Sequence, residues 1–294
     1  MSNSPKIYHQ IKALQQDLLP SRATKTIALV PTMGNLHEGH LELVRIAKTR
    51  ADIVVVSIFV NPTQFGVGED FDSYPRTLDD DVAKLARVGA DLVFAPSVDE
   101  MYPVMPPPTQ VLTGDIAKLL CGQSRPTHFD GVGIVVCKLF NIIAPNIAIF
   151  GQKDYQQLAI IKQLVLDLSY PIEIIAAPII RADDGLALSS RNQYLTADER
   201  KIAPKLQQEL QNLAEQLKDN SSKKSLNELI DDSKTKLNQA GFLVDYLEIK
   251  SPTLAPIASE KASNVFQNDA PIVILVAAKL GRARLLDNLI VTQS

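Results

Sequence analysis

Apolar residues along this chain follow two periods in turn. Thr26 to Val30, Asp52 to Val60, Asp91 to Ala95, Asn146 to Phe150 and Ile172 to Ala176 are short apolar, partly β-branched runs bounded by turn residues. Such runs predict strands buried on both faces. Between them apolar residues recur at helical spacing: Leu41, Val44 and Ala47 with Leu43 and Ile46 beside them, then Leu78, Val82, Leu85 and Ala86, then Ile134 to Ile143, then Tyr155, Leu158, Ile161, Val165 and Leu168. Lys48 and Arg50 close the first of these helices and Gly89 stops the second. Strand, helix, strand in this rhythm predicts right-handed crossovers and one parallel sheet. Ahead of it Ile7 to Leu19 is only a weak amphipathic segment, ended by Pro20.

From about residue 185 the pattern changes. Thr196 with Glu199 and Ser225 with Glu228 have capping-box spacing, the first ahead of Leu206, Leu210, Leu213 and Leu217, the second ahead of a helix that stops at Gly241. Leu243 to Ile249, Ile272 to Lys279 and Arg284 to Ile290 read as strands, the last two joined by a tight Leu280-Gly281 turn. The expected architecture is α/β, a parallel sheet with flanking helices over residues 1–184. A smaller C-terminal α+β domain, a candidate lid or dimer element, covers residues 185–294.

The chemistry concentrates where the first strand run gives way to the first helix, at Pro31-Thr32-Met33-Gly34-Asn35-Leu36-His37-Glu38-Gly39-His40. A strand feeding a glycine loop and then a helix start offers backbone N–H groups at a positive dipole end, an anion site before any side chain is counted. Gly34 and Gly39 are expected to let a phosphate approach the main chain. His37 and His40, three apart, can point the same way. A zinc-protease helix does not match, because it needs histidines four apart and no glycine in the helix interior. The loop also lacks the glycine patterns of dinucleotide folds and P-loops.

A second stretch repeats this geometry: Gly151-Gln152-Lys153-Asp154 turns from a strand into a helix and places an ammonium group for a phosphate. Gln157 lies one turn further on. Gln64, in the loop Asn61 to Gly66 after a strand, is either a substrate residue or an amide bonded to its own backbone. Arg125, His128 and Asp130, among the glycines of Gln123 to Gly133, either line a site or form a surface turn. Arg181 to Arg191 is either a phosphate-binding loop or a surface linker. Asp79, Asp80 and Asp81 begin a helix, where the macrodipole alone accounts for them.

Composition narrows the partners. The chain has 294 residues, 46% hydrophobic and 21% charged, which suits a globular protein with a sizeable core. A net charge of −3 without a long Lys/Arg cluster argues against a nucleic-acid surface. Cys121 and Cys137 make no C-x-x-C and are expected to be reduced core residues in a cytoplasmic protein. Residues 1–10 carry no apolar signal segment, and apolar runs such as Pro271 to Ala278 fall short of the ~18 residues of a membrane span.

The runs PTMGNLHEGH at 31–40, FVNPTQFG at 59–66, YPRT at 74–77, FGQKDYQQL at 150–158 and DGLALSSRNQYL at 184–195 resemble the pantoate-beta-alanine ligase family, the pantothenate synthetases, in the same order over nearly the whole chain. The H-x-G-H signature within them is shared with nucleotidylyltransferases and class I aminoacyl-tRNA synthetases. The resemblance implies a Rossmann-like sheet and a two-step reaction. Pantoate and ATP give pantoyl adenylate and pyrophosphate, then the amine of beta-alanine displaces AMP to give pantothenate. It also implies Mg2+, a cytoplasmic location and usually a homodimer; the absence of a nucleic-acid or membrane partner rests on the charge and apolar runs above.

Carried over by residue, the resemblance has Met33, Gly34, Asn35, Leu36, His37, Glu38, Gly39 and His40 line ATP, with His40 the proton donor. Gly151, Gln152, Lys153, Asp154, the backbone at Ile180, and Leu188, Ser189, Ser190 and Arg191 complete the ATP site. Gln64 and Gln157 hold pantoate, and Gln64 also beta-alanine. Many relatives have Glu where Gln152 stands, so that position receives no charge-dependent role, and no side chain is assigned to a metal. The inventory suits the chemistry: a carboxylate attacking a polyanion needs cations and N–H donors around the centre where charge grows, and His37, His40, Lys153 and Arg191 supply them. Two rivals are a tRNA synthetase and a non-catalytic nucleotide sensor on the same fold.

Overall fold

The computed structural model describes residues 4–66, 68–69, 71–219, 224–257, 265–266 and 269–293. Contacts divide the chain into two compact units, Met1–Gln152 with Gln156–Pro178, and Lys153–Tyr155 with Ile179–Ser294.

In the first unit the order is β1 (Lys6–Tyr8), α1 (Ile11–Leu18), β2 (Ile27–Thr32), α2 (Glu38–Arg50), β3 (Ile53–Ile58), α3 (Leu78–Arg87), β4 (Leu92–Phe94), the short α4 (Val98–Met101) and α5 (Cys121–Ser124), α6 (His128–Ile143), β5 (Ile147–Gly151), α7 (Tyr155–Asp167) and β6 (Glu173–Ala177). All six strands are parallel, in the order β1-β4-β3-β2-β5-β6. The central strands are covered on both faces, as their unbroken apolar runs require. Alternate residues go to opposite layers. Leu29 and Val55 pack with Leu14 of α1 and Phe140 of α6, whereas Ala28, Val30, Val54 and Val56 pack with Leu41, Val44 and Ala47 of α2 and Leu85 of α3.

Two local expectations change. Ile7 to Leu19 is not one helix: Lys6–Tyr8 adds an edge strand beside β4, and only Ile11–Leu18 is helical. Three residues are too few to show a strand period. The stretch Gln123 to Gly133 is not wholly a loop either, because α6 begins at His128. Gly131 lies inside this helix for a packing reason: a Cβ there would stand 2.1 Å from the Thr63 carbonyl oxygen. The helix backbone therefore lies directly against the 3-10 turn Pro62–Gln64.

The second unit contains α8 (Ala197–Ile202), α9 (Lys205–Lys218), α10 (Leu226–Gln239) and the antiparallel sheet β7 (Leu243–Lys250), β8 (Ile272–Leu280) and β9 (Ala283–Val291). Both expected capping boxes form, Thr196 with Glu199 and Ser225 with Glu228, but the first caps the short α8, and the helix of Leu206 to Leu217 starts separately after Pro204. Leu206, Leu210 and Leu213 of α9 pack with Leu229 and Leu237 of α10 on Leu247, Ile274 and Val276 of the sheet. The architecture is thus a Rossmann-like parallel sheet with flanking helices, followed by a small antiparallel sheet with its own helices. Cys121 and Cys137 are both buried, and neither forms a disulfide among the described residues.

Leu29, fully buried at the centre of β2, gives a test of the sheet core. Leu29→Ala should lower unfolding free energy by about 3 kcal/mol, seen as a lower urea midpoint with an unchanged slope.

Candidate active site

Within the first unit the run β4-β3-β2 extends one way from the centre of the sheet and β5-β6 the other, so the order reverses between β2 and β5. In open parallel sheets the crevice beyond the carboxyl ends of such a strand pair is where ligands bind. The loop from Met33 to His37 leaves the end of β2, and Gly151-Gln152 stand at the end of β5.

The first loop has a left-handed backbone at Gly34 (φ +83°) and Asn35 (φ +50°). It is held by Asp81, a carboxylate with no exposed surface. The Asn35 N–H donates to Asp81 Oδ2 at 2.9 Å and the Leu36 N–H to Oδ1 at 2.8 Å, and the Thr77 hydroxyl adds a bond of 3.1 Å. From the next turn of α3, Lys84 Nζ donates to the Leu36 carbonyl at 2.8 Å. A Cβ on Gly34 would stand 3.1 Å from Asp81 Oδ2, so glycine is required by the left-handed backbone and by this close carboxylate.

Two expectations are corrected here. The loop N–H groups of Asn35 and Leu36 are not open to a phosphate, because the protein supplies its own anion. The aspartate run is also not explained by the macrodipole alone: Asp79 and Asp80 are exposed, but Asp81 is a buried clamp. A signal was present, since Asp81 falls between Leu78 and Leu85 on the buried stripe of α3.

His37 and His40 cap α2 as a reciprocal pair. The Gly39 N–H donates to His37 Nδ1 at 3.1 Å and the His37 N–H to His40 Nδ1 at 3.3 Å. An Nδ1 that accepts a hydrogen bond leaves the ring proton of the neutral imidazole on Nε2. The ring centroids are 4.1 Å apart, so two Nε2–H donors lie together at a helix start. Glu38 is exposed, Gly39 partly so, and both belong to the first turn of α2.

Gln64 is joined to this loop. Its Nε2 donates to Met33 Sδ at 3.0 Å, and its Oε1 accepts from Asn61 Nδ2 at 3.1 Å. The amide is therefore not bonded to its own backbone. Asn61, itself buried, also donates to the Gly131 carbonyl and accepts from the Tyr102 hydroxyl at 3.0 Å. Burial pushes the Tyr102 phenol up and keeps it a donor. The Gln64 carbonyl meets His128 Nδ1 at 2.8 Å and Arg125 Nη2 at 3.3 Å. Arg125 in turn makes a two-pronged ion pair with Glu69, which holds that carboxyl below its usual range. Arg125 and His128 are thus a clamp on Gln64, while Asp130 accepts from the N–H and hydroxyl of Thr113. Asn61, Tyr102 and Glu69 were not found by sequence reasoning; only Asn61, ahead of a proline, had a local capping signal.

On α7 two adjacent glutamines divide their duties. Gln156 is buried and bonded to the Cys121 N–H and to the Ile116 and Leu119 carbonyls. Gln157 is partly exposed, with no side-chain hydrogen bond among the described residues.

In the second unit Lys153 is partly exposed and Asp154 exposed, and the Lys153 carbonyl accepts from Asn288 Nδ2 at 3.0 Å. The Ile180 carbonyl accepts from the Leu188 N–H at 2.9 Å, closing the root of the 181–191 loop. Ser189 Oγ accepts from the Arg191 N–H and caps the 3-10 turn Ser190–Tyr194. The Arg181 guanidinium is held by Asp287, whereas Lys153 and Arg191 have no ion-pair partner among the described residues.

The family model for pantoate-beta-alanine ligase matches residues 6–290. The chain belongs to the pantoate-beta-alanine ligase family. It is 67% identical over 288 residues to the pantothenate synthetase of Psychrobacter arcticus, covering 98% of both chains, and 57% identical to that of Acinetobacter baylyi over 95% of this chain and 96% of the other. Its fold is similar to the crystal structure of the Thermus thermophilus enzyme, with a TM-score of 0.86, 41% identity and coverage of 97% and 98%. It is also similar to a Francisella tularensis pantoate-beta-alanine ligase complexed with beta-gamma ATP and beta-alanine, with a TM-score of 0.76, 37% identity and 97% of each chain covered. As a family member this chain is a ligase that joins pantoate to beta-alanine, and the tRNA synthetase and sensor alternatives fall away.

Two predictions test how this ligase builds the loop and the Gln64 clamp. Asp81→Asn turns one acceptor oxygen into a donor facing loop N–H groups. It should cost about 2–4 kcal/mol of stability and at least ~10-fold in ligase rate, read by urea unfolding and by steady-state assay. Glu69→Gln should cost roughly 1 kcal/mol at neutral pH. Because the Glu69 value is lowered in the fold, this contribution is present above the ordinary carboxylate range and lost as pH falls through the lowered value. Stabilities of wild type and variant should therefore converge as pH falls below the ordinary carboxylate range and through the lowered Glu69 value.

Proposed function

We propose that this ligase works through ATP in two steps, with the imidazole pair at the start of α2 as the centre of the first. The observation that carries the reading is that His37 and His40, with Nδ1 engaged by backbone N–H groups, lie 4.1 Å apart on a loop fixed by a buried carboxylate. Donors that are fixed in advance need no reorganisation when charge develops, which is where electrostatic catalysis gains most. The Francisella ligase, complexed with beta-gamma ATP and beta-alanine, supports ATP and beta-alanine as substrates here.

In the first step a carboxylate oxygen of pantoate attacks the α-phosphorus of ATP. A phosphorus–oxygen bond forms, the bond to pyrophosphate breaks, and negative charge grows on the phosphoryl and leaving-group oxygens. His40 donates to that charge and His37 assists. Lys153 and Arg191, cations without an ion-pair partner among the described residues, meet the phosphates, and Ser189, Ser190 and the turn Gly151 to Asp154 add polar contacts. Gln64, held from both its amide and its carbonyl, orients pantoate and then beta-alanine, and Gln157 supports pantoate. In the second step the beta-alanine amine attacks the acyl carbon and AMP leaves. AMP is already a good leaving group, so holding the amine in place supplies most of that rate.

Mg2+ enters on the triphosphate as part of the substrate, the state it favours because it keeps water and phosphate oxygens as ligands. Among the described residues no group of three or more His, Cys, Asp or Glu forms a metal site, and no side chain is given a role as its ligand. The reading includes a cytoplasmic homodimer, supported by the family resemblance; light scattering on the purified chain tests the assembly. Among the described residues no helix is long and apolar enough to cross a membrane.

Incubation with ATP, Mg2+ and pantoate, with and without beta-alanine, separates the steps when pyrophosphate and AMP are assayed independently. Pyrophosphate should appear without beta-alanine, and AMP should need it. His40→Ala and Lys153→Ala should each slow pantoate-dependent pyrophosphate release by at least ~100-fold; Lys153→Ala should leave the unfolding midpoint near wild type, whereas His40→Ala, which removes half of the α2 cap, should also cost about 1 kcal/mol of stability. Normal pyrophosphate release by either variant removes that residue from the mechanism.

A further inference from the structure

Strand β9 interrupts an apolar run with two adjacent polar residues, Asp287 and Asn288, which are 4% and 2% exposed. Buried polar side chains are costly unless bonded, so their partners explain their presence. β9 pairs with β8 in unbroken register, Val276 opposite Asp287 and Leu275 opposite Asn288, so the two side chains go to opposite faces of the sheet. On one face Asp287 receives Arg181 Nη1 at 2.6 Å and Nη2 at 2.8 Å. Arg181 Nη1 also donates to the Gly185 carbonyl at 3.0 Å, and Arg181 bridges to Ala187 at the root of the loop that carries Ser189, Ser190 and Arg191. On the other face Asn288 Nδ2 donates to the Lys153 carbonyl at 3.0 Å. Two residues on, the Tyr155 hydroxyl donates to the Pro252 carbonyl at 3.1 Å and steadies the same segment.

We infer that Asp287-Asn288 is a positioning pair for the ligase reaction: one dipeptide on a rigid strand holds the backbone of Lys153 and, through Arg181, the root of the Arg191 loop. This rests on the reading that Lys153 and Arg191 meet the phosphates of ATP. Neither Asp287 nor Asn288 has to touch substrate. A lysine ammonium on a flexible four-carbon stem can be aimed only if its main chain is fixed, and a small misplacement of a catalytic cation is expensive in rate. The bidentate Arg181–Asp287 pair gives the loop root a defined angle as well as a tether.

Asn288→Ala, with Lys153→Ala and the double variant, tests the pair in one cycle of assays of pantoate-dependent pyrophosphate release. Asn288→Leu, which keeps the branched heavy-atom shape without the donor, carries the test if the alanine variant does not fold. Loss of the Asn288 donor should lower kcat about 10-fold and raise KM for ATP. KM for beta-alanine in the full reaction should stay unchanged. In the Lys153→Ala background the same change should have less than about a twofold further effect, because a positioning residue has nothing left to position. Wild-type kinetics for Asn288→Leu, or a full multiplicative loss on top of a crippled Lys153→Ala, overturns the inference alone. An unimpaired Lys153→Ala overturns the underlying reading of Lys153, and this inference with it.

Discussion

A carboxylate with no exposed surface, bonded to two successive backbone N–H groups 46 and 45 residues earlier in the chain, sets the geometry of the candidate site. Asp81 satisfies donors that a left-handed loop would otherwise leave unpaired in a buried place, and those donors in turn justify burying its charge. Lys84 completes the arrangement by holding the Leu36 carbonyl from the same helix. The loop can then enter α2 at one angle only, which fixes His37 and His40 relative to the sheet. The helix start itself is finished by the two imidazoles, so the groups that cap the helix are those proposed to do the chemistry.

The same logic recurs wherever this chain buries polarity. Asn61 joins Gln64, Tyr102 and the Gly131 carbonyl into one hub, and Gln156 uses both ends of its amide on α5 and the turn before it. Asp287 carries a guanidinium and the next backbone N–H. Networks in which the members satisfy one another rigidify their surroundings, because any alternative packing strands a buried donor or acceptor. Glu69 and Arg125 extend this to a partly exposed ion pair, where the gain is geometric more than energetic: the planar fork of Arg125 is aimed so that its Nη2 also donates to the Gln64 carbonyl. Residues proposed to meet substrate are thereby held within hydrogen-bonded networks.

Much of the fold is legible along the chain. Ala28-Leu29-Val30 and Val54-Val55-Val56 read as doubly covered strands because a parallel sheet between two helix layers leaves no polar face, and Leu206, Leu210, Leu213 and Leu217 read as a helix because one stripe alone is buried. Both capping boxes were visible because they are closed within four residues. The edge strand Lys6–Tyr8 was not, since its partner β4 lies more than 80 residues away and its own three residues carry no period. The start of α6 was missed because Gly131, a poor helix residue in isolation, is required there by the carbonyl of Thr63.

The sequence by itself determined the order of strands and helices, the positions of the two glycine turns with their histidines and lysine, and, through motifs spread over the whole chain, the family. All of these depend on residues close together in the chain or on the identity of the residues themselves. Only the tertiary structure decided that Asp81 occupies the loop donors, that Arg125 and His128 clamp Gln64, and that Asn288 holds the carbonyl of Lys153. Each of those bonds joins residues tens of positions apart or more, and a carboxylate at a helix start looks the same in sequence whether it faces water or a buried N–H. Desolvation and hydrogen-bond geometry distinguish the two, and both exist only once the chain has folded.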